Sequence, residues 1–249
     1  MRRFMKKTII ALLVLSLGIV AVLMAYRICG AAGDRDLSGE WTAQLDMSGQ
    51  AAAMAYGWLR DIEAVSVSLE EVEACMRNLN IQVEMTMDET DRSGGTFRCS
   101  VLPESYDACY QAAYEAFAVS FRVLVAERLR MAGHGEGTDE EAVEALITET
   151  FGMSAVAYLM SCGPALLPSL EELQARYDGS GTYEAGDGIL TRRFDTEGAA
   201  GTVTEQYIRE GSGLILLGET EDAAAGGFAE HYPLVFMMKQ PEEPENNIK

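Results

Sequence analysis

The stretch Gly39–Met47, which reads GEWTAQLDM, repeats with a period of two residues. Polar side chains separate the apolar ones, and this alternation is typical of a β-strand with one buried and one solvated face. The sequence therefore predicts that a folded domain opens on a half-buried strand. The side chains expected to face its core are Trp41, Ala43, Leu45 and Met47.

The same alternation returns further along the chain. Ile81–Met87 and Phe97–Val101 flank the glycine-rich turn Asp91–Gly95, which predicts a hairpin. Eight predicted strands in all are enough to form a curled antiparallel sheet or to close a barrel. Beyond Gly179 the predicted strands are Thr182–Ala185, Ile189–Phe194, Thr202–Arg209, Leu214–Glu219 and Tyr232–Lys239.

A helical block separates the third predicted strand from the fourth. Between about residues 103 and 178, apolar residues recur at spacings of three and four, as in amphipathic helices. Capping boxes predict that helices begin after Ser68 and Ser169, and Thr138 is the predicted cap of another. The fold class is therefore α+β. We expect an eight-stranded antiparallel barrel or curled sheet over residues 39–239, with a large helical insertion.

Two features of these strands resemble lipocalins. Gly39–Trp41 resembles the Gly-x-Trp motif on the first lipocalin strand, and Gly181–Tyr183 and Leu214–Leu217 look like the closing hairpins of small exported lipocalin-like bacterial proteins. The resemblance implies that the barrel binds a ligand and does not catalyse a reaction. It also implies that Gly39 and Trp41 are structural and that Trp41 packs at the barrel floor. The helical insertion departs from a standard lipocalin, whose strands are joined by short turns.

The N-terminal thirty residues have the composition of a membrane anchor. Thr8–Tyr26 is an uncharged run of 19 residues that Arg27 ends, close to the roughly 20 residues a spanning helix needs. We therefore expect one transmembrane helix within residues 1–30, with the following domain outside the cytoplasm, because basic residues stay on the cytoplasmic side. The basic residues before the run are Arg2, Arg3, Lys6 and Lys7.

Two alternatives to an uncleaved anchor remain. Small residues around Ala31 would allow cleavage and secretion. Cys29 is a candidate for lipid attachment, although Ile28 is larger than the residue expected before a lipidated cysteine. Residues 31–38 are interpreted as a linker, and residues 240–249, which are rich in proline and acid, as a disordered tail.

The charge of the chain limits the classes of molecule that we expect it to bind. Its formal net charge is −20, and all 39 acidic residues follow the first thirty. Such a surface repels phosphate backbones, so nucleic acid is not an expected partner. The expected contacts are the membrane, through the N-terminal segment, and either a small ligand or an envelope protein.

Motifs for chemistry are absent from the sequence. The two histidines, His134 and His231, lack metal-ligand spacing, and no nucleophile elbow or phosphate loop occurs. We therefore predict no catalytic residue, no metal and no cofactor. Four cysteines lie beyond the predicted anchor: Cys75, Cys99, Cys109 and Cys162. They could be small buried thiols or a disulfide framework, and we prefer buried thiols.

Two groups of residues are candidate ligand contacts. Glu205 shares a strand face with apolar neighbours, as does Arg192 on the preceding strand, so both are expected to point inward, where they could form an ion pair or anchor a ligand. The second group is an aromatic helix row that suits a glycan or an amphiphile but could equally be ordinary packing. Its members are Tyr106, Tyr110 and Tyr114, on a face that continues through Phe117, Phe121, Leu124 and Arg128.

Two functions fit these observations. The first is an extracytoplasmic binding module for a small amphiphilic or glycan-like ligand. The second is a structural or protein-interaction component of the cell envelope. A hydrolase with paired carboxylates is a third hypothesis, which needs two acids about 5–9.5 Å apart in a cleft.

Overall fold

The computed structural model describes residues 36–61, 68–91, 93–133, 139–195, 201–220 and 227–239. The predicted anchor over residues 1–30, most of the linker, the tail over residues 240–249 and His134 lie outside these ranges. Among the described helices, none is by itself both long and apolar enough to cross a membrane. One pair bent by 57°, Glu140–Phe151 with Ala155–Cys162, meets the criteria of length and composition when taken together.

The strands form a closed antiparallel barrel in chain order, which confirms the predicted strand number. The first strand pairs with the last, where Trp41 lies opposite Met238, so the sheet closes rather than curls. The strands are β1 (Gly39–Asp46), β2 (Asn80–Asp91), β3 (Gly94–Val101), β4 (Gly179–Gly186), β5 (Ile189–Phe194), β6 (Thr202–Glu210), β7 (Gly213–Glu219) and β8 (Leu234–Met238).

The last strand is shorter than predicted. A 3₁₀ turn over Ala229–His231 occupies the chain before it, and β8 begins at Leu234 rather than at Tyr232. Pro233 has no N–H to donate to a neighbouring strand, so the ladder begins only after it. Tyr232 therefore lies outside the sheet.

Four of the helices lie in the predicted insertion. They are preceded by two helices between β1 and β2. The six are α1 (Ser48–Asp61), α2 (Leu69–Cys75), α3 (Pro103–Met131), α4 (Glu140–Phe151), α5 (Ala155–Cys162) and α6 (Leu170–Tyr177).

Side-chain caps fix where several helices begin. Both predicted capping boxes are present, with Ser68 before α2 and Ser169 before α6 each bonded to the third residue of its helix. For α4 the cap is Asp139, whose carboxylate accepts a hydrogen bond from the Ala142 N–H. Thr138, which the sequence analysis chose, lies outside the described residues.

Contacts within the chain divide it into two compact units. The helical unit comprises residues 43–84 and 99–178, and contains all six helices. Among the described residues, the strand unit comprises 36–42, 85–91, 93–98, 179–195, 201–220 and 227–239, and it contains β4 to β8 entire.

The core of the helical unit forms along α3. Phe117, Phe121 and Leu124 are buried, as their spacing predicted, and Trp58 of α1 meets Phe117 edge-on with ring centroids 5.8 Å apart. Arg128, which the sequence analysis placed at the end of the same row, is exposed. It lies in the last turn of α3, where a cation interacts favourably with the helix dipole.

The core of the strand unit follows the alternation of its strands. Tyr183, Leu190 and Val203 are among its buried residues. A tight turn joins β4 to β5, with Asp187 and Gly188 at φ 53° and 76°. Two successive positive φ values produce the twist that a two-residue hairpin needs.

Candidate functional site

A buried ion pair joins β5 to β6 in the strand unit. The Arg192 Nε and Nη2 atoms each donate a hydrogen bond of 2.9 Å, to Oε2 and Oε1 of Glu205 respectively. Arg192 is 1% exposed and Glu205 0% exposed. The prediction that both side chains point inward is therefore confirmed, and they meet in the two-point geometry typical of strong arginine–carboxylate pairs.

Three phenylalanine rings surround the Arg192 guanidinium. Its Cζ atom lies 5.7 Å from the ring centroid of Phe97, 5.6 Å from that of Phe194 and 5.3 Å from that of Phe228. Each ring is within the range in which a cation is attracted to an aromatic face. The rings also exclude water, which strengthens the ion pair but makes its desolvation costly.

Tyr232 adds a third partner to this pair. Its hydroxyl donates a hydrogen bond of 2.5 Å to Glu205 Oε1. Burial and, next, the negative charge of Glu205 raise the pKa of Tyr232 well above its ordinary value. The phenol therefore stays protonated and remains a donor at neutral pH.

The backbone at Gly227 lies against the ion pair. Gly227 has φ +75°, a conformation that side-chain-bearing residues rarely adopt. A Cβ atom there would lie 3.3 Å from both Arg192 Nη2 and Val203 Cγ1. Only glycine allows the chain to pass so close to the guanidinium without strain.

A β-bulge brings a second carboxylate beside Glu205. The pairing of β6 with β7 shifts between Gln206 and Tyr207, so that Leu216 lies opposite Tyr207 whereas Glu219 lies opposite Glu205. Unbroken alternation from the buried Leu216 would turn Glu219 outward. Because the bulge adds one residue to β7, Glu219 shares the inward face of Glu205 instead.

Glu219 has an incomplete set of partners. Its Oε1 atom is buried and accepts no hydrogen bond within the part of the chain that the structure describes. Burial and, next, the charge of Glu205 raise the pKa of Glu219 above its ordinary value, while the Arg192 charge acts in the opposite direction. We call Arg192, Glu205, Glu219 and Tyr232 together the ionic cluster.

Trp41 lies in a separate part of the strand unit. It is fully buried, its Nε1–H donates to the Leu37 carbonyl at 2.9 Å, and the Arg209 Cζ atom lies 4.6 Å from its ring centroid. Gly39, at φ +132°, lies directly beside Met238 of β8. These contacts are those of packing residues.

Arg209 is held mainly by its ring contact. Its Nε and Nη1 atoms are buried and find no acceptor among the described residues. A guanidinium that lies over an indole face gains a favourable electrostatic contact that offsets part of this loss. The arrangement fixes the barrel near the start of β1 and offers no reactive group.

The tyrosine row of α3 tethers a neighbouring segment of the helical unit. Tyr114 is buried and donates to the Pro164 carbonyl at 2.8 Å, while Tyr106 donates to the Pro168 carbonyl at 3.2 Å. Tyr110 lies between them, with ring centroids 6.0 Å from Tyr106 and 4.9 Å from Tyr114. Tyr106 and Tyr114 thus bond to backbone carbonyls, and Tyr110 shares a side-chain hydrogen bond with Tyr114. A ligand role for the row stays a prediction.

The four cysteines that the structure describes form no disulfide and lie in two different settings. Cys99 and Cys109 are buried, as expected, and burial followed by the nearby Asp46 charge raises the pKa of Cys109 to about 11. Cys75 and Cys162 are exposed, which corrects the expectation that all four are buried. Both lie near the ends of short helices, where one side of the helix faces solvent.

Other chemistry finds no support in the described ranges. Within them no group of three or more metal-ligating side chains lies close enough together to hold an ion. His231 ends the 3₁₀ turn before β8 and is half-buried. The ionic cluster is therefore the main concentration of charged, buried side chains that the fold assembles.

Sequence reasoning identified half of this cluster. Arg192 and Glu205 share faces with apolar neighbours, which reveals their direction. Glu219 was missed because the bulge reverses its direction, although Gly218 within a strand is a typical mark of a bulge. Tyr232 was missed because the sequence analysis placed it within the last strand.

Comparison with known proteins gives no relative. No protein-family model, no curated protein and no solved structure matches the chain significantly.

Proposed function

We propose that the chain is a binding module for a small amphiphilic ligand, and that the ligand contacts the ionic cluster. The observation that carries the proposal is a buried, two-point ion pair beside a carboxyl group whose buried Oε1 atom accepts no hydrogen bond from the described residues. A buried ion pair adds little net stability, because the desolvation of both charges offsets their attraction. Apolar side chains would fill the same space without loss of stability. Recognition of a ligand is therefore the better explanation for buried charges there.

The proposed module is membrane-anchored and faces away from the cytoplasm. Support comes from the uncharged run Thr8–Tyr26, the basic residues before it and the strongly acidic domain after it. Secretion after cleavage near Ala31 is the alternative. Gly39–Trp41 and the closed barrel agree with a lipocalin-like binding protein, and this relationship is part of the same proposal.

Native mass spectrometry of the full-length chain tests the binding function. The protein would be purified in mild detergent from its own host, and we expect a bound small molecule that is released on unfolding. The matched variant Glu219→Gln should lose that molecule, whereas Glu210→Gln, an exposed acid on β6, should keep it. A mass with no bound molecule in several preparations would contradict the proposal.

A second function, a protein-interaction component of the envelope, is favoured by one feature. The outer faces of β7 and β8 expose Leu217, Val235 and Met237 by 42%, 46% and 49%. Exposed apolar groups on adjacent strands are typical of a contact surface. Cross-linking in the native envelope tests this function: a defined partner that Val235→Lys abolishes would support it, and random cross-links would not.

A further inference from the structure

The charges of the ionic cluster do not balance. Arg192 donates hydrogen bonds from Nε and Nη2 to the single carboxylate of Glu205. Tyr232 stays neutral and donates to that same carboxylate. Glu219 forms no ion pair within the described residues, so when it is ionised the cluster carries one uncompensated negative charge.

When Glu219 is ionised, it needs both a hydrogen-bond donor and a positive charge. An ionised carboxylate only accepts hydrogen bonds, and leaving a buried acceptor unpaired is unfavourable. A ligand anion would be repelled by Glu205 and Glu219 together. A neutral alcohol would provide the hydrogen bond without compensating the charge, whereas a protonated amine provides both.

The surroundings already hold one organic cation. Phe97, Phe194 and Phe228 lie around the Arg192 guanidinium at 5.3–5.7 Å. The same part of the barrel therefore stabilises a positive charge between aromatic rings. The net charge of −20 adds a field that concentrates cations near the protein.

We propose that the ligand of this site is a primary organic ammonium, whose charged head binds Glu219 beside Glu205. This inference rests on the binding function proposed above and assigns the chemical class of its ligand. Part of the Glu219 side chain is exposed whereas Arg192 and Glu205 are covered, so a ligand approaches the cluster from the Glu219 side. The Glu219 Oε1 atom is itself buried in this structure, so a small side-chain movement must uncover it for the ligand to bind there.

Three probes of one shape and different charge test the class. Benzylammonium, benzyl alcohol and benzoate would be titrated into the full-length protein by calorimetry at neutral pH. We expect benzylammonium to bind at least about tenfold more tightly than either of the others. Glu219→Gln should reduce benzylammonium binding by about the same factor, while the equal charge change Glu210→Gln should leave it unchanged.

The outcomes separate this inference from the binding function. Tighter binding of benzoate or benzyl alcohol would overturn the ammonium class but keep a binding module. Loss of benzylammonium binding in both variants would overturn the assignment to Glu219, because a general loss of negative charge would then explain it. If no probe binds, the inference fails, and native mass spectrometry then decides whether the binding function fails with it.

Discussion

Arg192 and Glu205 illustrate how the value of one ion pair depends on its burial. Removing either partner leaves a buried charge without its counterion, so Glu205→Ala should lower the free energy of unfolding by about 3–5 kcal/mol. The exposed pair Arg193–Glu184, 54% and 63% exposed, provides the matched control. Glu184→Ala should cost less than about 1 kcal/mol in the same urea titration.

A double variant keeps this prediction testable if Glu205→Ala does not fold. Replacing Arg192 by Met together with Glu205 by Leu removes both charges and fills the space with apolar atoms. We expect most of the lost stability to return, because neither desolvated charge remains. A double variant no more stable than the single one would show that packing, not charge, dominates at this position.

Glu219 should give the barrel a distinctive pH dependence. Its pKa in the folded protein is raised above the ordinary value of 4.5, so the folded state binds the proton more tightly than the unfolded state does. The contribution of Glu219 to the free energy of unfolding is therefore greatest below pH 4.5, and it decreases as the pH rises through the raised pKa. The stability of the wild type relative to Glu219→Gln should fall over that range in urea titrations, and a rise would contradict the assignment.

Individual residues of the ionic cluster show which of its features can be predicted from the sequence. The direction of Arg192 and Glu205 follows from alternation, because each strand has one apolar face. The partner geometry does not, since it depends on the register between β5 and β6, where Arg192 lies opposite Val203. Glu219 lies beyond prediction from alternation, because its direction depends on an added residue in β7.

Among the loops, Gly227 and Gly211 form a matched pair for separating two causes of strain. Both have positive φ, +75° and +57°, but a Cβ atom at Gly211 would meet nothing within 4 Å. Gly211→Ala should therefore cost only the backbone penalty, about 1–2 kcal/mol. Gly227→Ala should cost at least about 1 kcal/mol more in thermal unfolding, because it also crowds Arg192 and Val203.

The segment after α5 depends on side chains of α3. Tyr114→Phe removes the hydroxyl that donates to Pro164, which should lower stability by about 0.5–1.5 kcal/mol. It should also speed amide hydrogen exchange over residues 163–169. Tyr56→Phe on α1 is the control, and an equal effect there would show that the tether contributes nothing special.

Element boundaries were predicted best where a local interaction determines them. Ser68 and Ser169 determine their helix starts through capping boxes, so the sequence contains the whole cause. Closure of the sheet is different, because it requires β1 to pair with β8 across nearly 200 residues. Local alternation says nothing about such a contact, and both a curled sheet and a barrel therefore remained open.

For the whole molecule, net charge should limit stability. A charge of −20 repels itself in the compact state, and salt screens that repulsion. We expect the urea midpoint at pH 7 to rise between 0.05 and 0.5 M sodium chloride. At about pH 4.5, close to the isoelectric point of about 4.4, the net charge is near zero and the same salt step should have much less effect. An equal effect would exclude charge repulsion as the cause.

Because of the bulge in β7, the position of Glu219 opposite Glu205 depends on the number of residues in that strand. Deleting Gly218 would remove the added residue and restore regular pairing, yet Glu219 would still fall opposite Glu205. A regular strand of the present length would place Gly218 there and leave Glu219 on the outside. Loss of one codon could therefore preserve this pair, whereas realigning the strand without any change in composition would abolish it.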